Sequence, residues 1–161
     1  MKANPDPARA MLRHTVAALA YRAGKAVRDA PASFATFATG PNGRTPAQIL
    51  AHMGDLFDWA LGLADGKHVW HQAGPLPWDQ EVARFYSTLE AFDQRLASGA
   101  PLGVSEEQMF QGPIADALTH VGQIAMLRRL AGCKIPGENY LRSEITVGRV
   151  GADQAAPVQE F

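Results

Sequence analysis

The sequence predicts an all-α fold: a four-helix bundle with one long crossover connection and an extended C-terminal arm. Apolar residues recur at steps of three and four in four separate stretches, the period of one helix face. Glycine and proline gather at residues 39–46, 74–77 and 99–113, dividing the chain up to residue 132 into helix-length pieces. With 161 residues, 47% of them hydrophobic, the chain can bury the core of one domain over residues 1–161.

The first helix is expected over about residues 7–30, with Leu12, Val16, Leu19, Ala23 and Val27 inward and Arg13, Arg22, Lys25 and Arg28 on other faces. The connection 31–44 is long for an up-and-down bundle and calls for a crossover or a short extra helical turn. The second helix opens on a capping box, Thr45-Pro46-Ala47-Gln48. The threonine oxygen accepts from a free backbone N–H, proline suits the first helical position, and glutamine reaches back. Its inner arc is Ile49, Met53, Leu56, Ala60 and Leu63, and Asp65-Gly66 ends it. The third carries the most regular stripe, Trp78, Val82, Phe85, Leu89, Phe92 and Leu96, as a bundle seam requires. The fourth is expected to begin at Pro113, turn Ile114, Leu118, Val121 and Ala125 inward, and stop at Gly132. In the arm, 133–161, the helical period disappears. Alternation around residues 143–147 predicts an extended segment with a short strand, laid on the bundle.

Composition narrows the function. Fifteen basic residues against sixteen acidic leave a net charge of −1, which lacks the basic excess of a nucleic-acid binder. One cysteine excludes a disulfide framework within the chain and a cysteine-cluster zinc site. The N-terminal stretch has no uninterrupted apolar run, and no segment approaches membrane-spanning length. A cytoplasmic protein with no membrane partner is expected.

Five histidines are the natural place to look for chemistry. His14 reads as a surface residue, and His68 and His71 fall in a loop without a third ligand nearby. His52 lies beside Ile49, Leu56 and Trp59 at the edge of an apolar arc. Asp116, His120 and Gln123, at i, i+4 and i+7, form a polar stripe on one helix. Two ligands four apart, with a third from a facing helix, present three donors to one side of an ion and leave the other side open. On spacing alone a second reading stands: Asp116 favoured by a helix N-terminus and hydrogen-bonded to His120 as a structural pair. Cys133 reads as incidental, Asp58 as a solvated position, and Trp59, Trp78 and Phe85 as core. Trp70 and Tyr140 are candidates for a cavity mouth.

Two stretches carry a family likeness. Residues 45–53, TPAQILAHM, and His120-Val121-Gly122-Gln123-Ile124 followed by Leu127-Arg128-Arg129-Leu130-Ala131-Gly132 resemble the second-helix and last-helix motifs of the DinB/YfiT-like superfamily of bacterial four-helix-bundle metalloproteins. The resemblance spans roughly residues 7–132 and leaves the arm outside. It implies a divalent transition metal (Zn, Ni, Fe or Mn) held by His52, Asp116 and His120. Histidine is the family's residue where Asp116 stands. A carboxylate there makes the donor set harder and more anionic, shifts preference away from soft-ligand metals and lowers the acidity of bound water. Gln123 is placed to orient a ligand or metal-bound water, and Asp55 to accept the free N–H of His52. The implied activity is that of a homodimeric, thiol S-transferase-like enzyme, in which the metal activates a low-molecular-weight thiol cosubstrate toward a small-molecule substrate. Two other classes stay open: a catalytically silent bundle that binds a small ligand or serves as a stress-related dimer, and a metal-assisted hydrolase.

Overall fold

The protein is described over residues 6–161 by a computed structural model. Helix α1 spans Pro7–Val27. The Asp6 carboxylate accepts the Ala8 N–H at 3.0 Å, and Pro7 occupies the first helical position, where a missing donor costs nothing. Leu12, Val16, Leu19, Ala23 and Val27 are all buried. A 3-10 turn, Ala32–Thr36, supplies the extra turn of the long connection and seats Phe34 in the core. Helix α2, Pro46–Ala64, starts on the reciprocal Thr45/Gln48 capping box. Helix α3, Trp78–Ala97, buries Phe85, Leu89, Phe92 and Leu96, with Trp78 and Val82 half-covered against the same core.

The last helix starts earlier than expected. A second capping box, Ser105 with Gln108, opens α4 at Glu106–Met109. A π turn, Phe110–Ile114, leads into α5, Ala115–Leu130. Pro113 therefore sits inside a helical path. In an unbroken α-helix it would remove one hydrogen bond and press its ring on the carbonyl four residues back. The wider turn relieves this, with the Ala115 N–H reaching back to the Phe110 carbonyl. The inner face is also turned from the expected one: Ala117, Val121, Ile124 and Leu127 are buried, while Leu118 and Ala125 are half-exposed.

The chain is all-α. Helix α2 packs on α3 and α5, and α1 packs on the same two, around Leu19, Leu50, Met53, Phe57, Phe85 and Phe92. No β-strand forms among the described residues, so the strand expected near 143–147 is absent. The elements beside it are helices, which offer no ladder to join. Instead, one antiparallel bridge between Glu138 and Glu160 folds the arm on itself. None of the described helices is long and apolar enough to cross a membrane.

The arm is fastened to α1 by a buried cluster. Lys25 Nζ donates to Glu138 Oε2 and to Glu160 Oε1, each at 2.7 Å. The Tyr21 and Ser143 hydroxyls both donate to Glu138 Oε1, each at 2.6 Å. Burial opposes the Glu138 charge, but hydrogen bonds from Lys25, Ser143 and Tyr21 outweigh it and hold the carboxyl below its ordinary range. Burial likewise opposes the Lys25 charge, and its two glutamates hold the ammonium above the usual lysine value. A depressed carboxyl contributes stability above its unfolded pKa and loses it as pH falls through the folded value. A raised ammonium contributes below its unfolded pKa and loses that as pH rises through the folded one. The arm should therefore loosen in acid, below about pH 4, and be cut by protease within 133–161. Glu138→Ala should make it cleavable at neutral pH and cost about 3 kcal/mol in urea unfolding.

Candidate metal centre

Helices α2 and α5 bring together His52 and the Asp116/His120 pair, with His52 and Asp116 standing 64 residues apart along the chain. His52 is flanked by buried Ile49, Met53 and Leu56, and His120 by buried Ala117, Val121 and Ile124. Neither helix can roll without exposing that surface to water. His120 is buried, whereas His52 and Asp116 are partly exposed, the Asp116 side chain by 46%. The cluster is thus closed on the core side and open on the other.

The carboxylate of Asp116 faces both imidazoles. Its Oδ2 lies 3.4 Å from His52 Nε2 and its Oδ1 lies 3.4 Å from His120 Nε2. One donor atom from each of the three residues lies within 4.8 Å of the other two, and the two rings meet edge to face with centroids 4.8 Å apart. Around a tetrahedral ion with bonds of about 2.0–2.1 Å, neighbouring ligand atoms stand roughly 3.3–3.4 Å apart. Each N···O separation has that length, although to a different oxygen of the carboxylate, and it is long for a good hydrogen bond.

Gln123 sharpens the fit. Its Oε1 stands 2.7 Å from His120 Nδ1, a contact that favours the tautomer with the proton on Nδ1 and leaves Nε2 of the neutral ring a lone pair toward Asp116. Two acceptors then face each other across a gap that a cation or a second proton must fill. Fixing one imidazole nitrogen so that the other can ligate is the usual office of such a partner. These three residues could hold a metal ion.

Asp55 is placed otherwise than expected. It hydrogen-bonds Arg84 rather than His52, and it accepts the Ala73 N–H at 3.2 and 3.3 Å. Arg84, from α3, also reaches Asp58, Glu81 and the Ala51 carbonyl. A carboxylate only 2% exposed needs a full counter-charge, and the guanidinium supplies one where a neutral imidazole would not. Burial alone would lower the Arg84 pKa, but its three carboxylates push it well up. A Cβ at Gly54 would stand 2.8 Å from Arg84 Nη1, so that glycine leaves room for Arg84 against α2. The clue to Arg84 in the sequence is Glu81, three residues earlier on α3.

The remaining candidates separate cleanly. Trp70 lies over His52 with ring centroids 5.4 Å apart and meets Trp59 at 5.9 Å. Tyr140 packs on Tyr21 and Arg22 at the arm instead. His14, His68 and His71 are exposed. Asp58 pairs with Arg84 at the surface, and the Cys133 carbonyl accepts from Arg128 beyond the end of α5. A pocket of about 200 Å³ opens beside His52, with Arg44, Gln48, Asp55 and Gln72 in its wall. Sequence reading missed it because the loop that closes it has no periodic pattern.

Comparison with known proteins finds no matching family model, no matching curated protein and no matching solved structure. Chemically, the site offers two imidazole nitrogens, one carboxylate and an open side. The Arg84 cluster holds α2, α3 and the loop at Ala73 together behind it. Arg84→Met should cost about 3–5 kcal/mol, because Asp55 and Glu81 would be left buried without a counter-charge. Urea unfolding measures this, and Arg84→Lys should recover only part, since an ammonium cannot fork between three carboxylates.

Proposed function

We propose that this chain is a DinB/YfiT-like metalloprotein, a single-domain four-helix bundle that binds a divalent transition metal through His52, Asp116 and His120. Its proposed activity is thiol S-transfer. The observation that carries the reading is the pair of 3.4 Å separations by which one carboxylate faces two imidazole nitrogens, with Gln123 holding the proton on the far side of His120. The packing of α1 and α2 each on both α3 and α5 supports the bundle. The motifs around His52 and His120 support the superfamily. Met11 and Phe110, both exposed and lining an apolar groove, support a homodimer.

A divalent ion held there supplies a Lewis acid that favours the thiolate form of a low-molecular-weight thiol. The chain's own groups do the rest. Asp116 lowers the net charge of the centre and, being half-exposed, leaves its outer side open to an entering ligand. Gln123 keeps His120 in one tautomer. Trp70 covers His52 and shields that ring from water. The single cysteine, Cys133, lies past the far end of α5, about 20 Å along the helix from Asp116. A sulfur nucleophile at this site therefore has to come from a second molecule.

Elemental analysis of purified protein tests the centre. Wild type should carry about one equivalent of Zn, Ni, Fe or Mn, and His52→Ala and Asp116→Ala should carry almost none while keeping their helix content. Gln123→Ala should weaken metal binding by about 10–100-fold, as read by competition with a chromogenic chelator. Loaded protein should consume a cellular thiol in the presence of an electrophile. Turnover of an ester or amide without thiol would point to hydrolysis instead, and metal-free wild type would remove the proposal.

A further inference from the structure

The pocket beside His52 has a chemical bias that the metal reading does not explain. Gln48, His52 and Asp55 lie on one face of α2, at i, i+4 and i+7, and Arg44 stands just before the helix cap. Asp55 is spent: its oxygens take Arg84 and the Ala73 N–H, so Arg44 has no carboxylate of the wall to pair with. Gln48 uses its Oε1 to accept the Thr45 N–H, which leaves its amide NH₂ free. Gln72 adds a second side-chain amide. The uncommitted groups of Arg44 and Gln48 are therefore donors, and the wall's one acid is neutralised from behind. At about 200 Å³, the space is smaller than the roughly 300–1,000 Å³ of pockets for drug-sized ligands.

We propose that this pocket is a carboxylate subsite, in which Arg44 takes the carboxylate of a small organic acid, Gln48 and Gln72 add hydrogen bonds, and the acid's other end reaches the triad. The inference rests on the metal reading of His52, Asp116 and His120. A planar guanidinium matches a carboxylate through two parallel hydrogen bonds. His52 lies six residues into α2 from Pro46, about 9 Å of helix rise, and Arg44 stands before the cap, its side chain spanning part of the distance. The ligand thus carries its carboxylate several atoms from its reacting centre. Charge makes the two ends interdependent. Asp55, Asp58 and Glu81 crowd around the single Arg84, and Asp116 adds a further negative charge, so the region attracts an anion only with a divalent ion in place.

Calorimetric titration of zinc-loaded protein with glutarate and with acetate tests the subsite without any assay of turnover. Wild type should bind glutarate at least tenfold more tightly than acetate. Arg44→Gln should bring the two affinities together while leaving the zinc stoichiometry and melting temperature unchanged, and Arg44→Lys should restore part of the difference. Equal affinities in wild type, or the same preference in Arg44→Gln, would overturn the subsite while leaving the metal centre standing. A wild type that takes up no zinc would overturn both.

Discussion

One carboxylate can face two imidazoles from different helices only if α2 and α5 keep a fixed rotation and a fixed height relative to each other. The apolar residues on either side of the polar ones enforce this. Ile49, Met53 and Leu56 in α2, and Ala117, Val121 and Ile124 in α5, are buried, and a roll of either helix would return them to water at roughly 25 cal/mol per Å². The π turn before α5 belongs to the same constraint. One extra residue in a helical turn rotates everything after it by about a third of a turn, and Asp116 and His120 follow directly. Pro113, which marks the start of a helix when read alone, is the residue that makes the wider turn favourable.

Behind the open face lies a second layer of buried charge. Arg84 joins α3 to α2 through Asp55 and the Ala51 carbonyl, while Asp55 pins the loop at Ala73. Leu76 is held in turn by Glu81. The loop carrying Trp70 is thereby tied down at two points, which keeps that indole over His52. At the other end of the molecule, Arg128 donates to the carbonyls of Ala26, Arg28 and Cys133. It thus satisfies acceptors at the end of α1 that no helix can satisfy internally. Arg128 therefore has a structural task, separate from the polar stripe of Asp116, His120 and Gln123 that lies about one to three turns earlier in α5.

Legibility in the sequence followed the range of the interactions. The helical stripes of α1, α2 and α3 rest on local periodicity and were readable, as was the Thr45 capping box. The Ser105 capping box was equally local and was obscured only by the glycines and prolines around it. That Asp116 and His120 share a face was legible because helix geometry sets it, whereas their meeting with His52 across α2 and α5 has no signature in local spacing. Asp55 was misassigned for a specific reason. Its three-residue spacing from His52 allowed a contact, but the stronger partner came from α3, and spacing within one helix carries no information about charges on another. The tie between Lys25 and Glu138 spans 113 residues and has no local signature at all.

The account stands or falls on the atoms that would surround a bound ion. X-ray absorption at the zinc edge, on wild-type protein loaded with one equivalent of zinc and no added thiol, reads them directly. Two imidazole nitrogens and oxygen donors at about 2.0–2.2 Å are expected, and His52→Ala, which should not retain the ion, should give the spectrum of hydrated zinc instead. A spectrum without imidazole scattering, or one that His52→Ala leaves unchanged, would contradict it.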